Sequence, residues 1–243
     1  MTRCLLALGA NLGDRAATLR SALQLIAALP DTQLLTRSTW HETAPIGGPV
    51  GQTSFLNGAL LLETRLEPPQ LARNLHVIET QLGRERQSRW CARTIDIDVL
   101  LFGKEVIENA DLQIPHPRMA FRQFVLAPAA EIAGDMIHPT TGWTMAALLN
   151  HWRTAPREIA IFAKNQELSQ WLGDELSQQL RSEASDLSDS KAIKLVSCDE
   201  QPALVIALDE LDQIPGPLAR ITSSDRTVIL EEAIAAVQAA WPG

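Results

Sequence analysis

Two aspartates stand two residues apart in the run Arg93-Thr94-Ile95-Asp96-Ile97-Asp98. On a strand, residues i and i+2 share a face and lie about 6–7 Å apart. Asp96 and Asp98 therefore point one way, and Ile95, Ile97 and Val99 the other. Adjacent carboxylates repel unless a cation neutralises them. Hard oxygen donors of this kind suit Mg²⁺, which binds through one or two carboxylates plus substrate phosphates. A solvated strand face would show the same pattern. The loop before the strand carries Arg84, Arg86, Arg89 and Arg93, with Trp90 among them. The planar fork of arginine pairs bidentately with phosphate, so the loop reads as a polyphosphate clamp; a basic solvated loop is the plainer alternative. His116, Arg118 and Arg122 follow after the next short segment. Metal ions, cationic donors and positioning are what phosphoryl-type transfer requires of a protein.

A second set of residues suits a flat ring. Thr43-Ala44-Pro45-Ile46-Gly47 is a rigid loop with backbone donors and acceptors to offer. Phe55 and Asn57 share a face of the strand that follows, and Phe124 lies further on. Aromatic faces with an amide nearby can sandwich a heteroaromatic ring and read its edge; Phe55 and Phe124 would equally suit a core. No G-x-x-x-x-G-K-[ST], G-x-S-x-G, H-E-x-x-H or zinc-type Cys/His pattern occurs. A nucleotide here must be held without a Walker P-loop.

The elements that position these residues follow from hydrophobic periodicity. Residues 4–8 read as a buried strand, and Leu19, Leu23, Ile26 and Ala27 mark a helix ending near Pro30. Residues 33–40 and 55–64 read as strands separated by a Pro/Gly-rich loop over 41–53. Pro68-Pro69 open a helix with Leu71, Leu75, Ile78 and Leu82 on one face, and residues 95–102 form a strand whose alternation is strict in its first half. The order β-α-β-β-α-β predicts an α+β, ferredoxin-like core. Short helices are expected near Ala127–Ile132 and Thr144–Leu149, with a first domain over residues 1–152.

The remaining 153–243 change character. Strands are expected at Ile159–Ala163, Ile193–Val196, Ala203–Leu208 and Leu218–Thr222, and helices around residues 168–180 and 228–241, with a Ser/Asp-rich connector at 182–190. This is the pattern of a small α/β module. Residues 1–152 hold 13 basic and 14 acidic residues, and 12 of those 13 are Arg; residues 153–243 hold 8 and 15 and no His. The net charge of −8 thus belongs almost wholly to the second part. So acidic a chain is a poor general binder of nucleic acid. No apolar run approaches the 18 or so residues of a membrane span. Cys4, Cys91 and Cys198 stand far apart, as thiols of a reducing cytosol do.

Several motifs in order make a family resemblance specific: LALGANLGDR, ETAPIGG with FLNGAL, the helix into LGRER, RTIDIDVLLFG, and IPHPRMAFRQFVLAPAAEIA. Over about residues 3–150 the chain resembles the 6-hydroxymethyl-7,8-dihydropterin pyrophosphokinases of folate biosynthesis. The resemblance implies a ferredoxin-like domain that moves the pyrophosphoryl group of ATP to the pterin hydroxymethyl oxygen and releases AMP. It implies that Asp96 and Asp98 hold two Mg²⁺ ions with ATP, and that Arg84 and Arg93 act on the phosphates. Glu79, Arg86, Trp90, His116 and Arg122 match ATP-site positions, and Thr43, Pro45, Ile46, Phe55, Asn57 and Phe124 match the pterin pocket. Cys91-Ala92 stand where Gly-Pro is common, Phe55 where Tyr is frequent, and His76 where Gln is common. The competing class is a pterin- or nucleotide-binding protein without catalysis. Residues 153–243 lie outside the resemblance; an interaction or self-association module, a structural extension and a second active domain are the three readings open for them.

Overall fold

The computed structural model describes residues 1–46, 51–84, 92–183, 194–196, 202–209 and 217–241. These group into two compact units, Met1–Met119 with Phe124–Leu149, and Ala120–Gln123 with Asn150–Gly243. The grouping does not follow a single cut at residue 152, because Ala120–Gln123 fall with the second unit.

In the first unit, β1 (Thr2–Ala10), α1 (Arg15–Ala27), β2 (Thr32–Arg37), β3 (His41–Thr43), β4 (Phe55–Thr64), α2 (Pro68–Gln81) and β5 (Asp96–Phe102) follow one another. The strands form one antiparallel sheet in the order β2-β4-β1-β5, with β3 added alongside β4. Alternation along the central strand explains the layering. Cys4, Leu6, Leu8 and Ala10 share a buried cluster with Leu19, Ala22 and Ile26 of α1 and Leu71, Leu75 and Ile78 of α2. Period 2 on the strand meets period 3.6 on the helices, so both helices cover one face of the sheet. The Asp14 carboxylate caps α1 by accepting from Ala17 N at 2.9 Å. Pro68 opens α2, where a missing N–H costs nothing, and Gly83 closes it at φ 81°.

β3 falls inside the stretch 41–53 expected to be a loop, and β2 stops at Arg37 rather than reaching residue 40. A hairpin of β6 (Ile107–Glu108) and β7 (Gln113–Ile114) and the helices α3 (Gln123–Ala133) and α4 (Met145–Thr154) follow. Both helices run longer than the segments periodicity marked.

The second unit holds β8 (Glu158–Phe162), α5 (Gln166–Glu183), β9 (Lys194–Leu195), β10 (Leu204–Ala207), β11 (Leu218–Arg220) and α6 (Arg226–Ala240). Its four strands pair in parallel in the order β11-β10-β8-β9. β10 is buried at every position, as a parallel strand covered on both faces must be. Trp152 donates its indole N–H to Ala120 O at 2.7 Å and meets Trp241 edge to face at 5.2 Å.

Candidate active site

β5 carries the two aspartates, and its pairing with β1 decides which way they face. At the strand's far end Cys4 pairs with Phe102 and Leu5 with Leu101, but the register then shifts so that Leu6 pairs with Val99. Leu8 pairs with Ile97, Ala7 with Asp98 and Gly9 with Asp96. Ile97 and Val99 therefore join the helix-covered core. Asp96 and Asp98 lie on the opposite face, above the small residues Ala7 and Gly9.

β4 flanks β1 on the other side. There Gly9 pairs with Asn57, and Asn57 pairs in turn with His41 of β3. One row therefore runs Asp96, Gly9, Asn57, His41 across four strands. Two strand spacings separate Asp96 from Asn57, about 9–10 Å. The glycine between them leaves an open floor: a Cβ built there would come within 2.7 Å of Asn57 Oδ1. Asn57 is buried and donates through Nδ2 to Thr43 Oγ1 at 2.7 Å. Phe55, half-buried, stands two residues before it on the same side and pairs with Thr43. The expected ring-reading set of Thr43, Phe55 and Asn57 is thus brought together. Pro45 and Ile46 are half-buried just beyond Thr43.

The charged set is equally compact. Arg84 contacts Asp96 Oδ1 at 2.7 Å and also pairs with Glu79, while Arg93 pairs with Asp96 Oδ2. Glu79 lies on α2, 5% exposed, and its Oε1 accepts from Ile97 N at 2.7 Å. It is a buried carboxylate that ties α2 to the peptide between the two aspartates. Burial holds the Glu79 pKa above the usual carboxylate range against the pull of Arg84 and the Ile97 N–H. Burial and then the charge of Asp98 do the same to Asp96, against Arg93 and Arg84. Burial pulls Arg84 down, but Asp96 and Glu79 more than reverse it, so its pKa is raised and it stays cationic. His116 Nδ1 accepts from Arg118 N at 3.1 Å, which leaves the ring proton on Nε2, 3.8 Å from Asp98 Oδ2.

The other expected residues are placed less closely. Arg122 belongs to the stretch that groups with the second unit, and Phe124, half-buried, lies in the first turn of α3 and groups with the first. Arg86, Arg89, Trp90 and Cys91 lie outside the described residues. The sequence motifs did not assign a role to Gly9 or Asn11, although both stand in LALGANLGDR. Asn11 is 2% exposed and bonded on both sides of the site.

The residues fit a magnesium-type cation in one respect that can be tested on geometry. Two carboxylates share an open strand face, and among the described residues no group of three His, Cys, Asp or Glu side chains forms a closed metal cage. Mg²⁺ is held in this way where substrate phosphates complete its shell.

A family model for 7,8-dihydro-6-hydroxymethylpterin-pyrophosphokinase matches residues 5–134. The 2-amino-4-hydroxy-6-hydroxymethyldihydropteridine pyrophosphokinase of Haemophilus influenzae is 40% identical over 141 residues, 58% of this chain and 88% of that protein. The enzyme of the same name from Bacillus subtilis is 46% identical over 127 residues, 52% of this chain and 75% of that one. A solved Plasmodium falciparum HPPK-DHPS structure resembles the fold with a TM-score of 0.52 at 13% identity, over 86% of this chain and 56% of that chain. With the family model spanning more than half of its residues, the chain belongs to the 7,8-dihydro-6-hydroxymethylpterin-pyrophosphokinase family.

Proposed function

We propose that this chain transfers the pyrophosphoryl group of ATP to 6-hydroxymethyl-7,8-dihydropterin, and that the row Asp96, Gly9, Asn57 is the frame of the reaction. The pairing register carries the reading. It sets a ring-reading amide and a phosphate-side carboxylate on one face, two strands apart, over a floor with no side chain. A pterin held at Asn57 reaches with its hydroxymethyl arm toward phosphates held at Asp96.

Asn57 reads the polar edge of the pterin, oriented by Thr43, while Phe55 and Phe124 cover its faces. The hydroxymethyl oxygen attacks the β-phosphorus, the bond from that phosphorus to the α,β-bridging oxygen breaks, AMP leaves with that oxygen, and the hydroxyl proton passes to solvent. Asp96 and Asp98 would hold two Mg²⁺ ions, whose chemistry is to neutralise the triphosphate and acidify the attacking hydroxyl. Each guanidinium has five N–H donors, and the described carboxylate contacts of Arg84 and Arg93 use one nitrogen of each. The rest suit phosphate oxygens; the resemblance adds Arg86, Trp90, His116 and Arg122 as ATP-site positions. Glu79 fixes Arg84 and the β5 peptide, a supporting role beside the ATP contact that the resemblance implies.

We read the first unit as ferredoxin-like, from its strand order and its two helices on one face. The second unit we read as an appended α/β module for interaction or self-association. Fusion has precedent in a "Bifunctional protein FolKE" of Lactococcus lactis, 39% identical over 130 residues, of which this chain covers 37%. The isolated thiols favour the cytosol as the compartment. Incubation with ATP, Mg²⁺ and the hydroxymethyl pterin should release AMP in step with pterin diphosphate. Absence of AMP at saturating substrates would favour the non-catalytic binding protein.

A further inference from the structure

Asn11 stands where β1 leaves its two neighbours. The ladder to β5 ends at the Gly9–Asp96 pair, and the ladder to β4 at Ala10–Leu56. Beyond these points the chains toward Arg93 and toward Thr53 no longer pair with β1, and the Asn11 side chain and backbone bond to both. Its Oδ1 accepts from Arg93 N at 2.7 Å, and its own N–H donates to Arg93 O at 3.1 Å. Its Nδ2 donates to Thr53 O at 3.3 Å and to Gln52 Oε1 at 3.4 Å. The Thr53 hydroxyl donates back to Asn11 O.

Resting on the pyrophosphokinase reading, we propose that Asn11 is a positioning residue that couples the pterin side of the site to the nucleotide side. Arg93 pairs with the phosphate-side Asp96. Thr53 lies two residues before Phe55 and four before Asn57, the ring-reading pair. A planar amide 2% exposed to solvent therefore makes one rigid joint of the two segments. Its chemistry explains the residue type. The Arg93 side presents an N–H and needs an acceptor; the Thr53 side presents carbonyl oxygens and needs a donor. A carboxamide supplies both in one short group, whereas a carboxylate offers acceptors alone. Asp at this position would turn an oxygen toward Thr53 O and lose the side-chain bond to it, leaving on the pterin side only the Thr53 hydroxyl bond to the Asn11 backbone and a Gln52 amide that can turn to donate. A ligand that fixes Arg93 then no longer fixes the segment leading into Phe55. Loss of a joint between sites appears as loss of mutual affinity enhancement, which is equal when measured from either ligand.

The test is calorimetric titration of the full chain with the hydroxymethyl pterin and with magnesium α,β-methylene-ATP, whose bond to be broken is replaced by carbon. Each ligand is titrated alone and in the presence of the other. In the unsubstituted protein each should tighten the other by about 10-fold or more. Asn11→Asp should bring that factor to within about 3-fold of unity. Each ligand's affinity when titrated alone should change little. In turnover, KM for the pterin at saturating ATP rises about as far as the coupling falls, with kcat nearly unchanged. Thr53→Val, which deletes only the hydroxyl bond to Asn11 O, should reduce the factor in the same direction and carries the test if Asn11→Asp does not fold. Full coupling retained in a folded Asn11→Asp protein, or no coupling in an unsubstituted protein that does release AMP, overturns the inference. An unsubstituted protein that releases no AMP overturns the reading on which it rests.

Discussion

Gly9→Ala tests the floor between the two halves of the site. The residue sits in the middle of the row, paired with Asp96 on one side and Asn57 on the other. Its backbone is not in the left-handed region, so alanine brings no conformational strain. The effect must come from the added methyl, which would stand 2.7 Å from Asn57 Oδ1, where ordinary contact begins near 3.4 Å. Asn57 must retreat by about 0.7 Å, the difference between those two distances. A retreat of that size pulls Nδ2 from Thr43 Oγ1, now at 2.7 Å, and takes the amide out of line with a ring edge. Each buried polar group left unpaired costs about 1–3 kcal/mol. Two such losses at the low end give about 2–4 kcal/mol, or about 30- to 1000-fold in pterin affinity. Titration with the pterin should show that loss, while magnesium α,β-methylene-ATP binds within about 3-fold of its original affinity. A double-substitution cycle separates the clash from general overpacking. In an Asn57→Ala background the methyl meets no amide, so Gly9→Ala should add almost nothing to the loss. If it costs as much there as in the parent, or if pterin affinity is unchanged in the parent, the floor argument is wrong.

Asp98→Ala should abolish AMP formation without changing the circular dichroism of the fold; turnover like that of the parent would sink the carboxylate assignment. Asp96 binds its proton more tightly folded than unfolded, so its contribution to stability is full below the ordinary aspartate value and is lost as pH rises through the raised one. Asp96→Asn should therefore raise Tm of the unliganded protein at pH 7 and change it little near pH 4, about the unperturbed aspartate value. A Tm difference that does not vary with pH would refute this. Burial lowers the His138 pKa to about 4 from 6.5, so its contribution is full above 6.5 and is lost as pH falls through 4. That is about 3 kcal/mol at most, and His138→Gln should flatten acid unfolding over that window in a pH-resolved melt. Gly58→Ala would place a methyl 2.4 Å from Trp40 Cζ3, a ring atom that cannot yield alone, and should cost about 1–3 kcal/mol in denaturant titration.

The strands and helices around the site were legible because each carries its own period. Leu71, Leu75, Ile78 and Leu82 mark the buried face of α2, and the same spacing could have exposed Glu79. It lies four residues after Leu75, a charge on an apolar stripe, and the structure buries it there. Other features had no local signal. β3 is three residues in a Pro/Gly-rich stretch and exists because β4 offers it an edge. The row Asp96, Gly9, Asn57 is a matter of pairing register, which belongs to three strands at once. Asn11 follows a strand and precedes a helix, where a polar residue reads as an ordinary boundary. In the second unit the alternation of strands and helices suggests parallel pairing, although the run LVIA in β10 alone suits any fully covered strand.

The two aspartates face outward because β5 changes register part-way along. If the pairing of Cys4 with Phe102 and Leu5 with Leu101 continued unchanged, Leu8 would meet Asp98 and Ala10 would meet Asp96. Leu8 and Ala10 belong to the cluster under α1 and α2, so both carboxylates would be driven into the core. The shift between Leu5 and Leu6 leaves Leu100 as the extra residue and turns Ile97 and Val99 inward instead. A bulge of this kind re-aims every side chain beyond it. Its trace is visible in the sequence: IDID alternates strictly, and VLLF does not. An unbroken alternation over the whole strand would have put Asp96 and Asp98 on the same face as Phe102, which packs in the core, and one face cannot be both core and cation site. The break in pattern is therefore the feature that lets a single strand pack the domain at one end and hold charge at the other.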